Sequence, residues 1–111
     1  MVKVRFTEEG KILSLRIEGH AGYAEHGKDI VCASASILAN TLAATVLEFD
    51  EVYDVDTLVD LTSGDTTIKC KCNNYATYIA VSNAYRYTKV GYALLAHNYP
   101  QYVEFITDVE V

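Results

Sequence analysis

The sequence predicts an α+β fold, a layered sandwich of a largely antiparallel sheet and two main helices in the order β-β-α-β-β-α-β. Short runs of strict apolar/polar alternation stand on either side of two stretches that are too long for strands and carry apolar stripes instead. Turn signals, Glu-Glu-Gly-Lys and Thr-Ser-Gly-Asp, fall between paired alternating runs and mark hairpins.

Residues 2–7 place Val2, Val4 and Phe6 on one face and Lys3, Arg5 and Thr7 on the other. Leu13, Leu15 and Ile17 repeat the pattern against Ser14, Arg16 and Glu18 and complete the first hairpin. In residues 30–49 the stripe Ile30, Val31, Ile37, Leu38, Leu42, Val46 and Phe49 in an Ala-rich setting predicts a mostly buried helix, with Asp29 as its N-cap. Residues 55–62 and 66–72 form the second hairpin, in which Ile68, Cys70 and Cys72 share one face. Residues 75–97 predict the second helix, ended by Pro100, and Val103, Phe105, Thr107 and Val109 alternate in a last strand. With no linker, repeat or low-complexity tract, the expectation is one domain over residues 1–111.

Nine basic and fifteen acidic residues give a net charge of −6, which disfavours nucleic acid as a direct ligand and favours a basic protein segment. The beginning of the chain alternates charged with apolar residues, unlike a signal peptide, and no window reaches the roughly 18 apolar residues of a membrane span. The expectation is a cytoplasmic protein without membrane contact, whose three cysteines are free thiols. Cys70 and Cys72 are spaced Cys-x-Cys, which matches no common zinc signature, so neither a metal nor another cofactor is expected. Nine tyrosines, concentrated at Tyr75, Tyr78, Tyr85, Tyr87 and Tyr92, exceed the needs of a core and point to an interface or a partly exposed helix face.

The chemistry concentrates in residues 19–36, between the second strand and the first helix. If Asp29 caps the helix, Cys32 falls in its first turn, where unpaired backbone N–H groups and the helix dipole favour a thiolate. His20 leaves the strand across the loop and can serve as base to that thiol. In this reading, N–H groups at the helix start stabilise the oxyanion of an attacked carbonyl. Asp29 is either the cap, the simpler role, or a third group orienting His20. Ser36, one turn after Cys32, either bonds near the thiol or back-bonds to the i−4 carbonyl. His26 lies mid-loop and is expected to be exposed. Gly22 and Gly27 would be hinges of a loop, Ala21 to Lys28, that gates Cys32. The run Gly22 to Asp29 also imitates a phosphate-binding loop, but Asp29 stands where Ser or Thr would hold Mg²⁺, and Glu25 adds repulsion.

Gly19-His20-Ala21, a glycine-bearing loop, and then Gly27-x-Asp29-Ile30-Val31-Cys32-Ala33 with Ser36 resemble the signature of the ribosomal-processing cysteine protease family, Prp. Beyond these residues the likeness extends only to length and element order. The resemblance implies that His20 and Cys32 are the catalytic pair. It further implies removal of a short N-terminal extension from large-subunit ribosomal protein L twenty-seven, a homodimer, and a flexible loop over the site. The alternative is a non-catalytic ribosome-assembly adaptor that binds a basic ribosomal protein through acidic charge and tyrosines, with no need of a reactive thiol.

Overall fold

The computed structural model describes residues 1–110; Val111 and the side chains of Val109 and Glu110 lie outside the described residues. Five strands and two helices follow in the order β1 Val2–Glu9, β2 Ile12–Glu18, α1 Ile30–Phe49, β3 Val55–Thr62, β4 Asp65–Cys72, α2 Tyr75–Asn98 and β5 Val103–Glu110. All seven fall where alternation and turn residues put them. The strands form one sheet in the spatial order β3-β4-β2-β1-β5, in which β1–β2, β2–β4 and β3–β4 are antiparallel and β1–β5 is parallel.

Strand directions reveal a topology the sequence reading lacked. Strands β4 and β1 both oppose β2, and β5 runs with β1, so β4–α2–β5 is a parallel crossover passing over β2 and β1. Likewise β2–α1–β3 is a parallel crossover that skips β4. The sheet is therefore mixed, built from two interlocked split β-α-β units. Local patterns identify each strand but carry no record of its distant neighbours.

One sheet face is buried beneath both helices. Val2, Val4, Phe6, Leu13, Leu15, Ile17, Ile68, Cys70, Cys72 and Val103 supply its side of the core. From α1, Val31, Ala35, Ala39, Leu42, Ala43 and Val46 face it at spacings of three and four. This corrects the predicted stripe, because Ile30 and Ile37 point outward, Ile37 with 63% of its surface exposed. Ile37 lies two residues from both Ala35 and Ala39, about half a helical turn off the inner face, and the small alanines let the helix axis approach the strands. By length and composition α1 is apolar enough to cross a membrane, which the sequence reading did not anticipate; its buried stripe lies on the sheet.

Helix α2 turns Thr77, Val81, Tyr85, Thr88, Tyr92 and Leu95 inward. Tyr75, Ile79, Tyr87, Val90 and Leu94 stay exposed, so the tyrosines divide between two roles. The rings of Tyr85 and Tyr92 pack on Phe6 with centroids 6.2 and 5.9 Å away. Their hydroxyls donate to Ile68 O at 2.8 Å and Ala35 O at 2.7 Å, which satisfies the polar tips in the core and ties α2 to β4 and to α1. Burial raises the pKa of both phenols, keeping them neutral donors.

Tyr92→Phe removes the bond between the helices without changing the ring. It is expected to lower unfolding stability by about 1 kcal/mol, read from the urea midpoint. Tyr87→Phe, on the exposed face, should stay within roughly 0.5 kcal/mol of the parent.

Candidate active site

The site forms at the sheet end where β2 and β3 finish and β4 begins. Strand β2 stops at Glu18, and Gly19 turns the chain with φ +87°. A Cβ there would stand 2.5 Å from Met1 O, so this close corner requires glycine. The Gly19 N–H donates to Gly64 O in the β3–β4 turn at 2.9 Å, and His20 O accepts from the Met1 nitrogen at 2.7 Å. The histidine backbone is thus held from two sides before its side chain makes any contact.

Asp29 organises the next segment. It has extended backbone before α1, and its Oδ1 accepts from Val31 N–H at 3.0 Å and Cys32 N–H at 2.9 Å. Its Oδ2 accepts from the loop N–H groups of Tyr23 and Ala24 at 3.0 and 3.4 Å. Asp29 is the cap, and it is also a clasp between the loop and the helix. Desolvation works against the charge, but the N–H groups of Cys32, Ala24, Tyr23 and Val31 together hold the carboxyl below the ordinary carboxylate range. A second anchor is the Tyr23 ring, edge-on to Tyr99 and Tyr102 at 5.6 and 5.2 Å.

The clasp changes the chemistry expected of the helix start. The N–H groups of Val31 and Cys32 are engaged by Asp29 Oδ1, and that of Ala33 by Asp29 O at 3.0 Å. The donor that faces the sulfur comes instead from the start of the loop that follows β2: Ala21 N–H points at Cys32 Sγ, 3.3 Å away. A capping residue was legible in the sequence. That it would occupy the same N–H groups assigned to an oxyanion follows only from its side-chain geometry.

Cys32 and His20 line one cavity of about 600 Å³, together with Asp29 and Ser36. Its floor is apolar and small, from Val2, Ile17, Ala35 and Ala39, and its far wall is the second hairpin, Leu61, Ser63, Gly64 and Thr66. Gly22, His26 and Gly27 border it from the loop, His26 being exposed. Ser36 lies one turn along α1; the hydroxyl that back-bonds in this turn is that of Ser34, onto Ile30 O at 2.7 Å. Sequence reasoning missed the contribution of the second hairpin, because Thr-Ser-Gly-Asp announces a turn and nothing about what the turn touches.

The other two thiols are differently placed. Cys70 is fully buried, with Tyr85 donating to its sulfur at 3.7 Å, and burial raises its pKa. Burial pushes the Cys72 thiol up to about 11. Among the three cysteines, Cys32 alone is partly exposed and lines the cavity.

Comparison with known proteins bears on the family and the fold. The profile of the family described as Cysteine protease Prp matches residues 1–104. The chain belongs to the Prp family. The ribosomal processing cysteine protease Prp of Staphylococcus aureus is 46% identical over 35 residues, which make up 32% of this chain and 33% of that relative's length. Over nearly the whole chain the fold resembles the crystal structure of a Streptococcus mutans protein, with TM-score 0.71 and 26% identity, covering 99% of this chain and 96% of that one. It also resembles the Staphylococcus aureus ribosomal processing protease Prp carrying a covalently linked product peptide, with TM-score 0.66 and 22% identity, covering 96% of this chain and 99% of that one. At that identity the second likeness speaks for the Prp fold, which has the mixed five-stranded sheet and two helices seen here.

The Asp29 clasp gives a signed pH dependence. Its folded pKa is depressed, so its contribution is present above the unfolded value of about 3.9 and is lost as the pH falls through the lower folded value. The Tyr23 and Ala24 amide resonances are expected to titrate below that unfolded value. In Asp29→Asn, which keeps one acceptor oxygen and gains an NH₂ donor, the titration should vanish and both amides should exchange faster with solvent at neutral pH.

Proposed function

We propose that this chain is a cysteine endopeptidase that removes the short N-terminal extension of large-subunit ribosomal protein L twenty-seven, supporting ribosome assembly. The observation that carries the reading is a partly exposed cysteine at a helix start, sharing a cavity with a histidine and receiving a backbone N–H on its sulfur. Membership of the Prp family supports protease chemistry, and the name of the Staphylococcus aureus relative, a ribosomal processing protease, supports the substrate class.

In this reading His20 takes the Cys32 proton and the sulfur attacks the scissile carbonyl, forming the C–S bond as the carbonyl electrons move to oxygen. The Ala21 N–H, already 3.3 Å from the sulfur, lies within reach of that oxyanion, which stands one bond beyond the attacked carbon. Collapse expels the amine, protonated by the His20 imidazolium, and leaves a thioester. Water, deprotonated by the same imidazole, then releases the acid and restores the thiol. Asp29 acts by holding the loop and the helix start together rather than by moving protons.

The net charge of −6 favours the basic N-terminal segment of a ribosomal protein over nucleic acid. The proposal includes a cytoplasmic setting, where three free thiols persist, and a homodimer, supported by large apolar side chains that both helices expose, such as Ile37 and Leu94.

The loop from Ala21 to Lys28 is proposed as the gate. Gly22 and Gly27 hold φ of +69° and +88° in open space, so alanine there meets no neighbour and restricts only the backbone. The double replacement Gly22→Ala, Gly27→Ala is expected to lower kcat for peptide cleavage more than it lowers the unfolding midpoint; unchanged turnover would remove the gate.

The direct test incubates the protein with the extended N-terminal peptide of the host's ribosomal protein and reads the products by mass. Cys32→Ala and His20→Ala should each reduce cleavage by at least about 10³-fold, while Cys70→Ala costs stability and keeps the catalytic pair. Normal cleavage by either of the first two variants would sink the assignment.

A further inference from the structure

We infer that Gly64 is a positioning residue for His20: the lack of a side chain in the β3–β4 turn is what lets the imidazole occupy its place in the cavity that Cys32 also lines. The inference rests on the proposed role of His20 as base. It starts from a contact 44 positions apart in the chain (64 minus 20). A Cβ on Gly64 would lie 2.7 Å from His20 Nε2, 3.1 Å from Cε1 and 3.5 Å from Cδ2. The imidazole therefore rests directly on the glycine backbone, at a separation no other residue permits.

A turn glycine with φ +77° has an ordinary explanation, since L side chains rarely adopt that backbone. The fold supplies its own control. Gly10, in the β1–β2 turn, has φ +60° and nothing within 4 Å of its notional Cβ. Both glycines satisfy a turn, and of the two only Gly64 also has an imidazole against it.

Which partner would yield is decided by how each is held. Asp60 Oδ1 accepts from Thr62 N–H at 3.1 Å and from its hydroxyl at 2.6 Å, and Thr66 donates to Thr62 O at 3.3 Å. Asp65 is paired with Arg16 of β2 at 2.9 Å, and Gly64 O is bonded to Gly19 N–H. The turn is fastened on both flanks and to the corner that carries the histidine. The His20 side chain is exposed and has two free torsions, so the imidazole moves and the turn does not. Restoring ordinary carbon contact requires a displacement of about 1 Å. Misplacing a catalytic group by that distance costs about 10²-fold in rate.

The experiment compares Gly64→Ala with Gly10→Ala, each alone and with His20→Ala. It measures the unfolding midpoint, kcat and KM on the extended ribosomal peptide, and the pH profile of Cys32 alkylation by iodoacetamide, located by peptide mass. Both glycine variants should lose midpoint by similar amounts. Gly64→Ala alone should lose about 10²-fold in kcat, and its alkylation profile should move to that of His20→Ala. In the His20→Ala background, Gly64→Ala should change the alkylation profile no further. Turnover of Gly64→Ala equal to that of Gly10→Ala, or an equal loss in both backgrounds, overturns the inference. If Gly64→Ala does not fold, the nuclear Overhauser contact between Gly64 Hα and the His20 ring in the unaltered protein decides, and its absence overturns it. Full cleavage by His20→Ala would instead defeat the role of the base, a result distinct from either.

Discussion

A single carboxylate governs the geometry of the site. Asp29 accepts two N–H groups of the α1 first turn on one oxygen and two from the preceding loop on the other. Helix starts leave donors unpaired, and a loop that leaves a sheet carries donors of its own; here one side chain satisfies both sets. With those donors engaged, the N–H that faces the Cys32 sulfur is that of Ala21, three residues beyond the end of β2. The Cys32 sulfur and the donor that faces it thus come from different segments, and the clasp ties the loop between them to the helix start. The same bonds depress the Asp29 pKa, so the clasp keeps its charge to a lower pH than an ordinary carboxylate would.

The sheet gives that clasp its surroundings. The β2–α1–β3 crossover returns the chain so that β2 and β3 finish at the same end of the sheet with β4 between them, bringing the β3–β4 turn against Gly19 and His20. On the opposite flank, the segment after α2 supplies Tyr99 and Tyr102, which hold Tyr23 and with it the middle of the loop. The cavity is lined from three separated parts of the sequence, Val2, the stretch 17–40 and the second hairpin at 61–66, over a floor of core residues. Reactive groups mounted at the ends of a strand and a helix gain positional accuracy from elements stabilised elsewhere.

The three cysteines show how environment outranks residue type. Cys70 and Cys72 face inward from a central strand, where burial disfavours the thiolate and Tyr85 occupies the Cys70 sulfur. Cys32 sits at a helix start on a cavity wall. The Prp family profile spans residues 1–104, while strong identity to the Staphylococcus aureus relative is confined to 35 residues. Such a pattern is expected when a layered core tolerates apolar exchange of similar volume across most of the chain.

The elements were legible in the sequence because their signals are local. Val2, Val4 and Phe6 alternate whatever lies beside them, and Asp29 announces a cap through its own side chain. His20, Cys32 and Ser36 are named from their places at the element ends together with the resemblance to the Prp signature, and they line one cavity. Three features needed the folded chain. Exposure of Ile37 was decided by which stripe of α1 met the sheet, since both Ala-rich and Ile-bearing stripes fit a helical period. The parallel pairing of β1 with β5 was decided by crossovers that span whole helices, for which no short pattern exists. The contact of Gly64 with His20 was decided by a hairpin more than 40 positions away, where glycine is already demanded by the turn and so gives no second signal. By itself the sequence determined what each segment becomes and where the helix cap lies, because propensity, capping and periodicity act within a few residues. Only the tertiary structure decided which backbone donor meets the sulfur and what supports the imidazole, because those depend on side-chain and strand placements summed over the whole sheet.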